Sequence, residues 1–444
     1  MIRSTHTTAK RHFLSPLRLG TLVVLSLLSI PAVFAQEVAD TIKIRTRVVF
    51  MDALVKDKKT GTTISDLKPE NFELFDDGKP RTISYFTREG QARKPLALIL
   101  ILDCREDGAG RFLKRPEVIQ AITEQLGKLP PGDEVGIMAM NLSEDEERIW
   151  LTQFTNQPAD IAAALARVPG FVEKPEVVAA EIQKTKKAED TRQGKITVST
   201  GDGEPETANA QTNQKQEPKP EIAETETIKG KNGAVVTRTV MKDGSVNVKR
   251  VNKKGNVTIE MDDVYDMAAA VREATRTAER DRPNSQPAIV WLSDGIAPIF
   301  YEDRDATEQI LIRSNAIFSS LTTDLRTLFK FLMPIGKPMA GWLGVSLYGS
   351  AKYLAQQTGG EAVRVNRTRD YGAGLAKIIG NLTARYSLGF ALAEDEKDDG
   401  RMHELALRVK ARDEKGKERR FDVSSRRGYF MPKNESEQAA ASKQ

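Results

Sequence analysis

Residues Leu96 to Leu102 form an unbroken apolar run, Leu-Ala-Leu-Ile-Leu-Ile-Leu, that ends on Asp103. A strand without a polar face is buried on both sides, an environment supplied by a mostly parallel sheet with helices against each face. The residues around it alternate accordingly. A helix is predicted over 115–129, strands at Val135 to Met140 and Arg148 to Phe154, and a helix over 158–168 with Pro158 in its first turn. Helices over 263–280, 306–313, 348–357 and 373–383 then alternate with strands at Ala288 to Leu292, Ala316 to Ser320 and Ala362 to Val365. This alternation predicts an α/β class fold, a doubly wound, mostly parallel, Rossmann-type sheet over residues 95–392.

Other stretches lie outside that pattern. Residues 1–35 read as a signal peptide: Arg3, Lys10, Arg11 and Arg18 precede an apolar run from Leu22 to Ile30, and Val33-Phe34-Ala35 offers small residues for cleavage after Ala35. The run is shorter than the roughly 20 residues of a spanning helix. The expectation is a secreted or periplasmic protein with no membrane span after cleavage.

The leader also distorts the charge. Subtracting its four basic residues from the 67 Lys and Arg leaves 63 against 62 Asp and Glu, so a sequence pI near 9.0 gives no case for nucleic acid as a partner. Cys104 is the single cysteine, so the fold must rest on its core without an internal disulfide.

Residues 41–90 alternate short β-rich runs with turns such as Asp77-Gly78, and read as a β-rich leading segment. Residues 173–231 are rich in Lys, Glu, Thr, Gln and Pro with almost no aromatics, the composition of a disordered insertion. Residues 232–261, punctuated by Asn232-Gly233, Asp243-Gly244 and Lys254-Gly255, read as a β-meander protruding from the core. A C-terminal β extension over 393–432 and a disordered tail over 433–444 complete the expected layout.

Three stretches together carry a family resemblance. The first is Leu67-Lys68-Pro69-Glu70-Asn71-Phe72-Glu73-Leu74-Phe75-Asp76-Asp77-Gly78-Lys79-Pro80. The second is Leu96 to Asp103 with Leu292-Ser293-Asp294-Gly295. The third is Thr358-Gly359-Gly360 with Arg385-Tyr386-Ser387-Leu388-Gly389-Phe390 and Arg426-Arg427-Gly428-Tyr429-Phe430. In order and spacing they resemble the von Willebrand factor A-related proteins of acidobacterial type, over nearly the whole chain outside the insertion. The resemblance implies a von Willebrand factor A-like sheet with N- and C-terminal antiparallel β additions, acting in protein binding or assembly.

It also implies a metal-ion-dependent adhesion site at the C-terminal edge of the sheet, where open α/β folds place ligands. Such a site uses Asp-x-Ser-x-Ser after the first strand, a later Thr, and an Asp after the fourth strand. Hard oxygen ligands there hold a divalent cation with one position open for a partner's carboxylate.

Here Asp103 and Asp294 match, Arg105 and Asp107 replace the two serines, and Asp262 falls at the threonine position. Arginine has no lone pair for a metal and carries a fixed positive charge. Two arrangements are open. Arg105 can occupy the cation's place and pair with Asp103 or Asp294, a degenerate, metal-free site without a cofactor. Alternatively it can turn outward, leaving Asp103, Asp107, Asp262 and Asp294 to bind magnesium or calcium. The first is preferred because the neutralising charge is already present in the chain. An EF-hand reading of the same loop fails, since Arg105 and Lys114 stand where carboxylates are required.

Catalytic signals are sparse. After leader removal His403 is the only histidine, expected as a surface strand residue, and Cys104 is expected as a buried apolar side chain. Glu302, Asp303 and Asp305 read as a helix start serving the dipole and solubility. No phosphate loop, nucleophile elbow or CxxC occurs, so the chain is expected not to be an enzyme, an unrecognised envelope enzyme with a Ser or Lys nucleophile being the alternative. Residues 328–348 crowd Phe331, Met333, Met339 and Trp342 among prolines and glycines; they read as a loop packed on the core, or as an apolar patch for a protein partner.

Overall fold

The computed structural model describes residues 47–88, 93–105, 108–140, 148–173, 222–241, 246–255, 258–262, 267–323, 344–396 and 398–431. The signal peptide, the tail, and most of the insertion expected from the sequence lie outside them.

The chain opens with β1 (Val48–Asp57), β2 (Phe72–Asp76), β3 (Lys79–Arg81) and β4 (Tyr85–Thr87). Asp77 and Gly78, with φ of 47° and 77°, make the two-residue turn between β2 and β3. Both positions need the left-handed region, which Asp tolerates and Gly accepts without cost, and this turn follows the right-handed twist of the flanking strands.

Next come β5 (Leu96–Asp103), α1 (Gly110–Leu113), α2 (Pro116–Leu126), β6 (Glu134–Met140), β7 (Arg148–Thr155), α3 (Pro158–Ala166) and α4 (Val168–Glu173). Pro116 and Pro158 open their helices where no intrahelical N–H is needed. A four-stranded meander follows, β8 (Ile222–Lys229), β9 (Val235–Met241), β10 (Val246–Val251) and β11 (Thr258–Asp262).

The chain continues through α5 (Met267–Asp281), β12 (Gln286–Ser293), β13 (Ile296–Phe300), α6 (Tyr301–Arg313), β14 (Ile317–Thr323), β15 (Val345–Tyr348), α7 (Ser350–Thr358), β16 (Ala362–Val365) and α8 (Asp370–Thr383). It closes with β17 (Tyr386–Ala391), β18 (Met402–Val409), β19 (Phe421–Ser425) and β20 (Gly428–Phe430).

Every residue of β5 is buried, and β5 lies between β6 and β12 in a six-stranded sheet of order β16-β14-β12-β5-β6-β7. Side chains alternate across the strand. Leu96, Leu98, Leu100 and Leu102 therefore join one core with α2, α3 and α8, while Ala97, Ile99 and Ile101 join another with α5 and α7. The buried face of α5 is built from Ala268, Ala270, Val271, Ala274 and Ala278, side chains small enough to let its backbone approach the sheet. Each Leu or Ile so enclosed contributes about 1.5–3 kcal/mol.

The expectation of a doubly wound, mostly parallel, Rossmann-type chain is overturned. Of the five sheets among the described residues, four are antiparallel throughout, and the six-stranded one is mixed because β7 runs antiparallel to β6. The continuous apolar pattern of β5 belongs to a few central strands, and many of the strands around them within and beyond residues 95–392 alternate and pair antiparallel.

Strands from both ends of the chain interleave. Sheets of order β19-β1-β17-β4 and β20-β18-β2-β3 face each other over Val49, Met51, Leu74, Phe390, Leu405 and Tyr429 at one end of their shared core, with Ala53, Val55, Phe72, Tyr386 and Leu388 further along. Leading segment and C-terminal extension therefore make one β-sandwich in place of two separate additions. Residues 386–391, which fall inside the 95–392 boundary expected from the sequence, belong to this sandwich as β17, an antiparallel strand hydrogen-bonded to β1 and β4.

The family-like motifs at 358–360, 385–390 and 426–430 lie at the joint between sandwich and mixed sheet. Arg385 donates to the carbonyls of Asn381 (3.1 Å) and Gly359 (2.7 Å), and the Arg427 amide donates to Gln357 O (2.9 Å). A Cβ on Gly360 would stand 1.8 Å from the carbonyl oxygen of Phe318, so only glycine fits that crossing.

The meander does not simply protrude. Arg250 of β10 meets Glu302 at the start of α6 with paired contacts of 3.0 and 2.8 Å, and Asn232 bonds the same carboxylate at 2.8 Å. Arg272 of α5, 1% exposed, joins Glu226 of β8 (2.8 Å), Thr307 (3.0 Å) and Asp303. Glu302 and Asp303 are thus buried partners of arginines, correcting their reading as solubilising charges; Asp305 remains partly exposed beside Arg304. The insertion also ends earlier than expected, since residues 222–229 pair with β9 as β8.

Candidate functional site

β5 and β12 are parallel neighbours with Leu102 beside Leu292, so Asp103 and the pair Ser293-Asp294 leave the sheet side by side. Arg105 folds back over that edge. Its Nε lies 3.0 Å from Asp103 Oδ1 and its Nη2 2.7 Å from Asp103 Oδ2. The same Nη2 reaches Asp294 Oδ1 at 2.9 Å and the carbonyl oxygen of Ile296 at 3.1 Å.

Neutral donors complete the cluster. Ser293 Oγ donates to Asp103 Oδ2 at 2.7 Å, and the Ile296 amide donates to Asp294 Oδ1 at 2.8 Å. The side chains of Arg105, Asp103 and Asp294 are 9%, 1% and 2% exposed. Burial, the largest influence, pushes the Asp294 carboxyl above its ordinary range, and the Arg105 charge and the Ile296 amide pull against it.

Gly108 closes over the pair, because a Cβ there would fall 2.8 Å from Asp294 Oδ2. The fork of a guanidinium matches one carboxylate bidentately and has a donor left for the second, which a point-like ammonium cannot reproduce. Arg105 thereby joins the ends of two adjacent strands.

Asp103, Arg105 and Asp294 are the sequence-derived residues that the structure brings together. Asp107 lies outside the described residues, and of Asp262 only the backbone at the end of β11 is described. Phe331, Met333, Met339 and Trp342 fall within 324–343, also outside.

Cys104 is 3% exposed, with its amide on the carbonyl of Met140 and its thiol pushed upward chiefly by burial, which disfavours the reactive thiolate. The reading of His403 as a surface strand residue is overturned. It is 4% exposed, stacked on Tyr429 with ring centroids 5.1 Å apart, and faces carboxylates at both ring nitrogens. The signal was present: in Met402–Val409 the alternation puts His403 in phase with Leu405 and Leu407, toward the sandwich interior.

A cavity of about 160 Å³ lies at the opposite edge of the mixed sheet, near the first residues of β5, β12 and β14, with Phe50, Tyr85, Arg88, Lys94 and Arg385 in its wall. It shares no residue with the Arg105 cluster. No helix among the described residues is long and apolar enough to cross a membrane.

No family model and no curated protein matches the chain. Among solved structures, the pilus adhesin SpaC from Lactobacillus rhamnosus GG in its open conformation is 10% identical, covering 84% of this chain and 49% of the adhesin, with a TM-score of 0.30. A second crystal form of that adhesin gives 8% identity, coverage of 83% and 50%, and a TM-score of 0.28. The chain thus spans about half the length of these adhesin chains. Likeness at this level carries no inference about fold or role.

Proposed function

We propose that the chain is a noncatalytic, extracytoplasmic recognition or assembly module, presenting the Asp103–Asp294 edge of its mixed sheet to a protein partner without a bound divalent ion. The observation that carries this reading is the guanidinium of Arg105 between the two carboxylates, where a cation-dependent site would need its metal. The motif resemblance to von Willebrand factor A-related proteins is retained within the proposal for the recognition role alone.

The chemistry of nearby groups supports a noncatalytic role. An arginine stays protonated at neutral pH and is a poor proton shuttle, and Cys104 is buried with a raised thiol pKa. Localisation outside the cytoplasm rests on the leader-like residues 1–35.

Capture from an envelope extract tests the reading. Immobilised chain should retain one competable protein equally in EDTA and in magnesium, and Asp294→Ala should weaken that capture. Capture that requires magnesium, or none in either buffer, overturns it.

A further inference from the structure

We propose that Asp76, Asp77 and His403 form a binding site for a zinc-class divalent ion, on a different sheet from the Arg105 cluster and independent of the function proposed above. The Asp77-Gly78 turn brings two consecutive carboxylates to the end of β2, and β18 lays His403 against them. His403 Nδ1 is 3.0 Å from Asp77 Oδ2 and 3.9 Å from Asp76 Oδ1, and one ligand atom from each residue lies within 4.8 Å of the others. Around a zinc ion, with bonds of about 2.0–2.2 Å, ligand atoms stand roughly 3–4 Å apart.

A separate observation, an unpartnered buried oxygen, points to a cation. Asp76 is 3% exposed, and its Oδ1, which faces the His403 ring, has no hydrogen-bond partner. Its other oxygen is fully engaged, by Arg81 at 3.0 and 2.7 Å and by Tyr429 Oη at 3.1 Å. A buried carboxylate oxygen left without a donor is costly, and an ion removes that cost.

One tautomer of the imidazole suits ligation. His403 Nε2 faces Asp399 Oδ1 at 3.2 Å, so an Nε2–H donated there leaves the Nδ1 lone pair directed at the two aspartates. In that tautomer the Nδ1 lone pair and two carboxylate oxygens converge, and a metal ion satisfies all three where Arg401 reaches only Asp77. Carboxylates with an imidazole suit zinc and its neighbours better than calcium, which takes 6–8 oxygens. Arg401 currently shares Asp77 Oδ2 at 2.7 Å, but its side chain is 56% exposed and can withdraw while keeping Asp399.

The test is zinc titration of the EDTA-treated full chain by calorimetry, with His6 and His12 replaced by alanine in every sample. We expect one saturable zinc per chain, no calcium competition, and at least tenfold weaker binding in both His403→Phe and Asp77→Asn. Asn is tolerated at the positive φ of position 77, so that variant keeps its turn even where His403→Phe unfolds. Asp399→Asn should weaken binding by roughly 10- to 100-fold. No saturable zinc uptake, as when a proton alone serves His403, or uptake unchanged in Asp77→Asn, overturns the proposal.

Discussion

Arg105 and Asp294, 189 residues apart in the chain, meet at 2.9 Å across the ends of two adjacent parallel strands. The contact depends on β5 and β12 being neighbours, and it converts two buried carboxylates from a liability into a clasp. Removing one partner of a buried ion pair is far more damaging than never having built it, because the remaining charges stay without compensation.

Arg105→Ser should therefore lose about 3 kcal/mol of stability in metal-free buffer. Because the hydroxyl restores an oxygen donor between Asp103 and Asp294, millimolar magnesium should recover part of the loss in the variant and leave the native chain unchanged. Urea denaturation with and without magnesium measures both; an identical magnesium response in the two proteins would remove the idea that Arg105 replaces an ion.

The contact between the meander and α6 should be acid-sensitive. For Glu302, burial is the largest influence and raises the carboxyl, but bonds from Arg250 and Asn232 together outweigh it and hold the group below its ordinary range near 4.5. A depressed folded pKa means stability that is present above the unfolded value and lost as pH falls through the folded one. Glu302→Gln should abolish that acid-dependent fraction and cost about 3 kcal/mol at neutral pH, read from urea midpoints between pH 3 and 7. Parallel pH curves for the two proteins would contradict the assignment.

Gly360→Ala should disturb the joint between the mixed sheet and the sandwich more than any exposed substitution. The added methyl meets the Phe318 carbonyl at 1.8 Å, and backbone must move to admit it. A loss of about 1–3 kcal/mol or failure to fold is expected, against less than 0.5 kcal/mol for Gly380→Ala, whose Cβ meets nothing within 4 Å in the interior of α8. Thermal melts of the pair check the contrast.

Tyr386→Phe should cost about 1 kcal/mol, because its buried hydroxyl accepts the Leu67 amide at 3.1 Å and that donor would be left unmet. Since the ring still packs against Phe72 and Phe86, the near-ultraviolet circular dichroism should be retained. A neutral substitution would mean water reaches Leu67.

Several of these features were legible in the chain itself. An unbroken Leu/Ile run declares burial on both faces, and an Asp at the end of each of two such strands announces their convergence once the strands are neighbours. Glu302 and Asp303 were not legible: their partners Arg250 and Arg272 lie 52 and 31 residues away, and local composition reads an acidic helix start as solvated. β17 fell inside the 95–392 boundary for a related reason. An apolar run after a helix does not say which sheet receives its hydrogen bonds, and its partner β1 lies far back in the sequence. His403 was different, since counting by twos from Leu405 would have turned it inward.

The interleaving of β1 between β17 and β19 has a consequence for biosynthesis. Val48–Asp57 precedes by more than 300 residues both strands that flank it, β17 and β19. Until β17 and β19 have emerged, that strand lacks its hydrogen-bonding neighbours and has only part of its apolar cover, from Leu67, Phe72 and Leu74, so the sandwich can close only after residue 425 has been made. A nascent chain stalled short of residue 386 should carry a sticky ribbon that a holdase would recognise.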